Sequence, residues 1–166
     1  MKQKILLLCL LSSSLVIAKV PPPLRVTADE MTYNDKTKIS VAQGKAVATF
    51  SNSDGKQILQ ADSMTAHHND DDVNGVDALF AKSTTNVPVL FHSPALTATA
   101  TTCRYDGKTH NIFCSGCVKV TDLKKKDTIT GDTATINIQT KMYRVNSIGD
   151  NLSEAILHTG PTAHNP

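Results

Sequence analysis

Three groups of residues have types and spacings that could do chemistry. Cys114-Ser115-Gly116-Cys117 has the CxxC spacing of redox dithiols and of zinc half-sites. A redox dithiol sits in a βαβ context with a helix after it, but Val118-Lys119-Val120-Thr121 follows here and reads as a strand. A zinc site needs a second CxxC or a spaced His pair, and the chain has neither. A structural disulfide is the better reading. Cys103 precedes the Asp106-Gly107 turn and Cys114 follows it, so a cross-strand bond is reachable. The pairings 103–114, 103–117 and 114–117 all remain open. His67-His68-Asn69-Asp70-Asp71-Asp72 offers imidazoles and carboxylates to a divalent cation but matches no EF-hand spacing. It reads as a solvated loop between strands, and no metal site is assigned. Lys124-Lys125-Lys126 reads as a charged hairpin turn, with contact to phosphates of a ligand as the lesser reading. There is no G-x-S-x-G, H-E-x-x-H, Walker A loop or convincing carboxylate pair. No catalytic residue and no cofactor follow from the sequence, and an enzyme is not expected.

The elements that must carry these residues are strands. The 166-residue chain holds 20 Thr and is 40% apolar, enough for a core, with an excess of β-branched side chains. Candidate strands are Arg25–Tyr33, Ile39–Gln43, Ala46–Phe50, Gln57–Ala66, Val87–Phe91, Leu96–Tyr105, Asn111–Cys114, Cys117–Asp122, Thr128–Ile138 and Met142–Val145. Val118/Val120 and Ile136/Ile138 alternate in period two, and turn signals such as Asn34-Asp35 and Asp106-Gly107 recur about every ten residues. No long window has helical spacing.

The chain also repeats itself. At a shift of 72 residues, Leu24/Leu96, Ala28/Ala100, Tyr33/Tyr105, Lys36/Lys108, Thr37/Thr109 and Gly44/Gly116 coincide. Gln60-Ala61-Asp62-Ser63-Met64-Thr65-Ala66 then matches Thr130-Gly131-Asp132-Thr133-Ala134-Thr135-Ile136 at a shift of 70, as if two residues were lost in a turn. An ordered series of matches indicates two internal repeats.

Residues 1–18 read as a secretory signal. Lys2 and Lys4 form the positive region, Ile5–Leu11 is apolar, and Val16 and Ala18 fit a peptidase site. The apolar stretch is too short for a permanent anchor. Pro21-Pro22-Pro23 marks residues 19–23 as a stiff leader, and residues 159–166 read as a frayed tail. Cleavage after Ala18 removes two lysines from 17 Lys+Arg and leaves the exported chain balanced against its 15 acids. The formal charge of +2 therefore belongs to the signal. With 4% aromatics and no Trp, nucleic-acid binding loses its support. The expected compartment is the periplasm or cell exterior, which is oxidising.

Val26-Thr27-Ala28-Asp29, Tyr33-Asn34-Asp35-Lys36-Thr37, Gln43-Gly44-Lys45-Ala46-Val47 and Ile129-Thr130-Gly131-Asp132-Thr133-Ala134 together resemble the LptA/OstA family. The resemblance runs from about Leu24 to His158. It implies an all-β fold over 24–158, a twisted β-jelly roll of consecutive antiparallel strands. It also implies carriage of lipopolysaccharide from the inner to the outer membrane. The implied partners are lipopolysaccharide, LptC-like and LptD-like jelly rolls, and further copies of the chain joined end to end.

A carrier of acyl chains needs a dry apolar slot, since each exposed methylene costs about 0.8 kcal/mol. Leu24, Val26, Phe91 and Tyr105 fall where the family pattern has inward lipid contacts. Val47, Ile112, Val118, Val120, Ile136 and Ile138 are further candidates, each also explicable as sealed core. Two alternatives stand beside the carrier. One is a scaffold module of the envelope with a plugged interior, and the other is an LptC-like anchored bridge subunit.

Overall fold

The computed structural model describes residues 24–52, 55–69, 75–149 and 152–157. The signal, the Pro-rich leader, the 159–166 tail and Asp70–Asp72 lie outside them. The described residues form twelve strands: β1 (Arg25–Thr27), β2 (Glu30–Asn34), β3 (Ile39–Asn52), β4 (Gly55–His68), β5 (Val76–Lys82), β6 (Val89–His92), β7 (Leu96–Ala100), β8 (Thr102–Asp106), β9 (Asn111–Asp122), β10 (Thr128–Asn137), β11 (Tyr143–Asn146) and β12 (Glu154–Ile156). There is no helix among the described residues.

Strands β7–β12 repeat β1–β6 in order and pairing. β1 and β2 both pair β3, which pairs β4, which pairs β5 and β6; β7 to β12 do the same around β9 and β10. The repeats join through β5–β8 and β6–β7, and every pairing is antiparallel.

Two layers result, because the four long strands bend. In β3 the two residues Gly44 and Lys45 stand opposite Asp62 of β4, and in β9 Gly116 and Cys117 stand opposite Asp132 of β10. An extra residue in one strand of a pair kinks it. All four bulge residues have positive φ, and a Cβ on Gly44 or Gly116 would come within 2.6 Å of Asp29 Oδ2 or 2.5 Å of Thr101 Oγ1. On one side of the bends lie β2, β5, β8, β11 and the adjoining halves of the long strands, the first layer. On the other lie β1, β6, β7, β12 and the remaining halves, the second layer. The bends form a closed spine; the hairpin tips meet along the opposite side, a seam.

Four of those tips share one device. Asn34, Asp106, Asp122 and Asn137 each accept the backbone N–H groups two and three residues on, at 2.8–3.3 Å. Four residues on, Lys38, His110, Lys126 and Lys141 take positive φ to close the loop. At the spine, Asp62 Oδ2 accepts from the N–H of Thr84 (2.7 Å) and Thr85 (2.9 Å) and from both hydroxyls, which fixes the crossing from β5 to β6. Its repeat partner Asp132 accepts from Ile148 N at 2.7 Å before β12.

These bonds, led by that from Thr84 N–H, hold the Asp62 carboxyl down at about 2. A group whose folded pKa is depressed stabilises the fold above its unfolded value near 4, and that contribution fades as pH falls toward 2. Thermal melts of the wild type are expected to lose stability over that window. Asp62→Asn should show a shallower acid limb, and parallel limbs would contradict the assignment.

The strand map departs from the sequence reading in three places. Arg25–Tyr33 and Leu96–Tyr105 each break in two, because the chain crosses between layers where Asp29 N–H bonds Gly44 O and Thr101 N–H bonds Gly116 O. Ile39–Phe50 and Asn111–Asp122 are single strands that bend at the bulges rather than stop. β5 carries no clean alternation, since Ala78 and Leu79 are both buried while Phe80 faces out against Arg104 and His67.

Candidate lipid-binding groove

The inner faces of the two layers meet in one apolar interior. The first layer contributes Met64, Leu79, Tyr105, Ile112 and Ile136, and the second contributes Phe50, Leu59, Phe91, Val118 and Val120, all buried. Alternation makes this possible: residues i, i+2 and i+4 of each strand face inward and the residues between them face out.

Phe91 sits at the centre of the second layer. It lies opposite Leu59 on β4 and Ala98 on β7, and it is 1% exposed. Tyr105 lies across the interior near the seam, its ring 4.6 Å from Phe50, its hydroxyl 3.1 Å from His110 Nδ1. Burial, with the Asp106 carboxylate beside it, pushes the Tyr105 hydroxyl up. Ile112 lies between Tyr105 and Ile136 in the ladder, while Val118 and Val120 line β9 and Ile138 closes the seam end of β10.

Leu24 and Val26 stand apart from these, half-buried against the core at the N-terminal end. With Met31, Met64, Leu79 and His68 they line an open apolar cavity of about 200 Å³. His68 is held there by Ser40, whose hydroxyl is 2.7 Å from Nε2, and by the edge of Tyr33. Leu24 and Leu96 are repeat partners, and Leu96, inside the junction of the repeats, is fully buried. Among the described residues β1 and β2 each pair β3 on one side only, and the cavity opens beside their uncovered edges.

Nine of the ten sequence candidates therefore border the interior or its mouth. Val47 does not. It lies between buried Ala46 and Ala48 on β3, so the pleat turns it outward, across from Thr27 and Gln60. The inward positions of β3 are even-numbered on both sides of the bulge, at Ala42, Ala46, Ala48 and Phe50, so Val47 falls on the outer face. Leu59, Met64 and Leu79 were not among the candidates, although Leu59 shares the alternation of β4. Gln57 gives no apolar signal at all, yet it is buried at the seam.

Among the cysteines, Cys103 and Cys114 are bonded across β8–β9, directly opposite one another with Cα atoms 4.1 Å apart. Cys117 is a free, exposed thiol. The CxxC is thus a bulge with one disulfide partner before it. Among the described residues no cluster of His, Cys, Asp or Glu could hold a metal ion.

Comparison with known proteins agrees with this geometry. Residues 24–142 match the family described as LptA/(LptD N-terminal domain) LPS transport protein. No curated protein sequence matches the chain. In fold the chain is similar to the crystal structure of LptH from Pseudomonas aeruginosa, described as the LptA homologous periplasmic component of the lipopolysaccharide transport device. The TM-score is 0.67 at 17% identity, covering 82% of this chain and 96% of that one. A sandwich of two consecutive-strand repeats around one apolar interior, matched by that family over most of its length, places the chain among the LptA/LptD N-terminal-domain lipopolysaccharide transport proteins, a family of transporters rather than enzymes.

Proposed function

We propose that the chain is a periplasmic carrier that holds the acyl chains of lipopolysaccharide between its two layers and joins other jelly rolls end to end. The observation that carries this reading is the continuity of the apolar interior with the open cavity at Leu24 and Val26. The periplasmic setting draws on the signal-like N-terminus, the buried disulfide and the periplasmic description of LptH.

The end-to-end joint has a template inside the molecule. Where the repeats meet, β5 pairs β8 and β6 pairs β7. By repeat correspondence, β11 and β12 of one copy would receive β2 and β1 of the next, or the same strands of an LptC-like or LptD-like roll, by strand addition. Exposed apolar residues at the two ends support this: Met31 and Tyr33 at one, Met142, Ile148, Leu152, Ile156 and Leu157 at the other. A chain ending at Asn146 lacks β12 and is expected to stay monomeric at concentrations where the full chain forms a ladder of oligomers in sedimentation. Equal oligomerisation of both would remove the joint.

The centre of the interior is closed around Phe91, which favours the scaffold as the second reading. Protein purified without detergent from lipopolysaccharide-producing cells and extracted with organic solvent separates the two. A carrier releases lipopolysaccharide close to one molecule per chain, and a scaffold releases none.

A further inference from the structure

We propose that the cavity over Gln57, on the seam, binds the phosphorylated polar head of the amphiphile whose acyl chains lie between the layers. This rests on the carrier reading and adds to it a place and a chemistry for the head. Along the seam the layers are held by side chains. Gln57 of the second layer donates through Nε2 to the carbonyl of Ile138 in the first at 3.0 Å, and Phe50 meets Tyr105 alongside. Parting the layers here breaks no strand ladder, whereas parting them at the spine would break β3, β4, β9 and β10. Acyl chains with a bulky head therefore enter at the seam, and the head remains outside it.

Gln57 is 3% exposed, and its Oε1 has no hydrogen-bond partner. A buried acceptor without a donor costs stability, so an unfilled amide oxygen on a side chain that lines a cavity marks a place for a donor that enters as the layers part. The cavity that Gln57 lines is about 520 Å³. Pro94 and Leu123 give it apolar wall, Lys124 comes from the second-layer hairpin, and Lys141 from the facing first-layer hairpin. This combination suits a hydroxylated, phosphorylated sugar: a hydroxyl or amide N–H for Oε1, apolar walls for the ring, and two ammonium groups for phosphate. Asp122 shares the rim. Its Oδ1 accepts from the N–H of Lys124 and Lys125, and its charge leaves the phosphate to the lysine side.

The test measures binding of the mature chain to lipid A with both phosphates, to fully dephosphorylated lipid A, and to sodium phosphate alone. Lys124→Ala/Lys141→Ala changes only exposed side chains. It is expected to weaken binding of the phosphorylated lipid about tenfold or more and that of the dephosphorylated lipid less than about twofold. Gln57→Leu keeps the volume and removes the acceptor, and should weaken both lipids about fivefold. Should it fail to fold, the lysine variant decides. Sodium phosphate alone should not bind at millimolar concentration; binding it as tightly as the lipid would make this a free-phosphate site and overturn the proposal. Unchanged affinity in the lysine variant, beside a wild type that binds lipid A, overturns the headgroup site and leaves the carrier standing. A wild type that binds neither lipid overturns both.

Discussion

Phe91→Ala is expected to cost the protein about 3–5 kcal/mol of stability, the usual cost of emptying a buried aromatic site. The ring is 1% exposed between Leu59 and Ala98 on neighbouring strands, so the backbone cannot collapse into the space without breaking the β4–β6–β7 ladder. The truncation leaves a cavity lined by apolar side chains. In a sealed scaffold that cavity stays empty and the loss is the same in any solution. In a carrier it lies on the route of the acyl chains, and apolar ligand can refill it. Urea unfolding with and without lipid therefore reads two things at once. The full loss without lipid reports packing, and partial recovery with lipid reports occupancy, since a ligand that binds only the folded state stabilises it by mass action. An equal loss under both conditions favours the scaffold.

The second large effect belongs to the disulfide. Cys103–Cys114 closes a loop with a sequence separation of 11 and braces β8 against β9 just beside Tyr105 and Ile112. Loop-closure entropy for a ring of that size is worth about 3 kcal/mol. Both sulfurs are buried, and as thiols they would still pack as small apolar groups, so reduction forfeits mainly the chain constraint. Cys103→Ala/Cys114→Ala should lower unfolding free energy by about that amount in oxidising buffer and should lose nothing more on adding reductant. Cys117→Ser should change stability by less than about 0.5 kcal/mol, because that thiol is exposed and unbonded. A large loss in the Cys117 variant, or a wild type insensitive to reductant, would refute the pairing.

Much of this architecture was legible because the chain says it twice. The coincidence of Tyr33 with Tyr105 and of Gly44 with Gly116 reflects a shared requirement: the same hairpin and the same bend, once per repeat. Alternation marked Val118/Val120 and Ile136/Ile138, all four of them buried, since one wrong step in a strand moves a side chain to the other face. The same rule turns Val47 outward, because Ala42, Ala46, Ala48 and Phe50 fill the inward positions of β3, and small alanines signal a core more weakly than the valine between them. β5 escaped notice because Ala78 and Leu79, adjacent in sequence, are both buried, which breaks the period-two signal. The cysteine pairing could not be chosen from spacing, since three connectivities were reachable. It is fixed by Cys103 and Cys114 standing opposite one another across the ladder. Gln57 was illegible altogether. A polar residue at a strand start reads as surface, and only the closure of one layer over the other buries it.

The central claim is that acyl chains travel between the two layers. Its most direct test places a photo-crosslinking residue at Phe91, which faces inward, and separately at Phe113, which faces outward on β9 next to inward-facing Ile112. Each variant is expressed in a lipopolysaccharide-producing cell, irradiated and probed for lipopolysaccharide. The account predicts an adduct at 91 and none at 113. Folded protein with no adduct at 91, or with equal adducts at both positions, would contradict it.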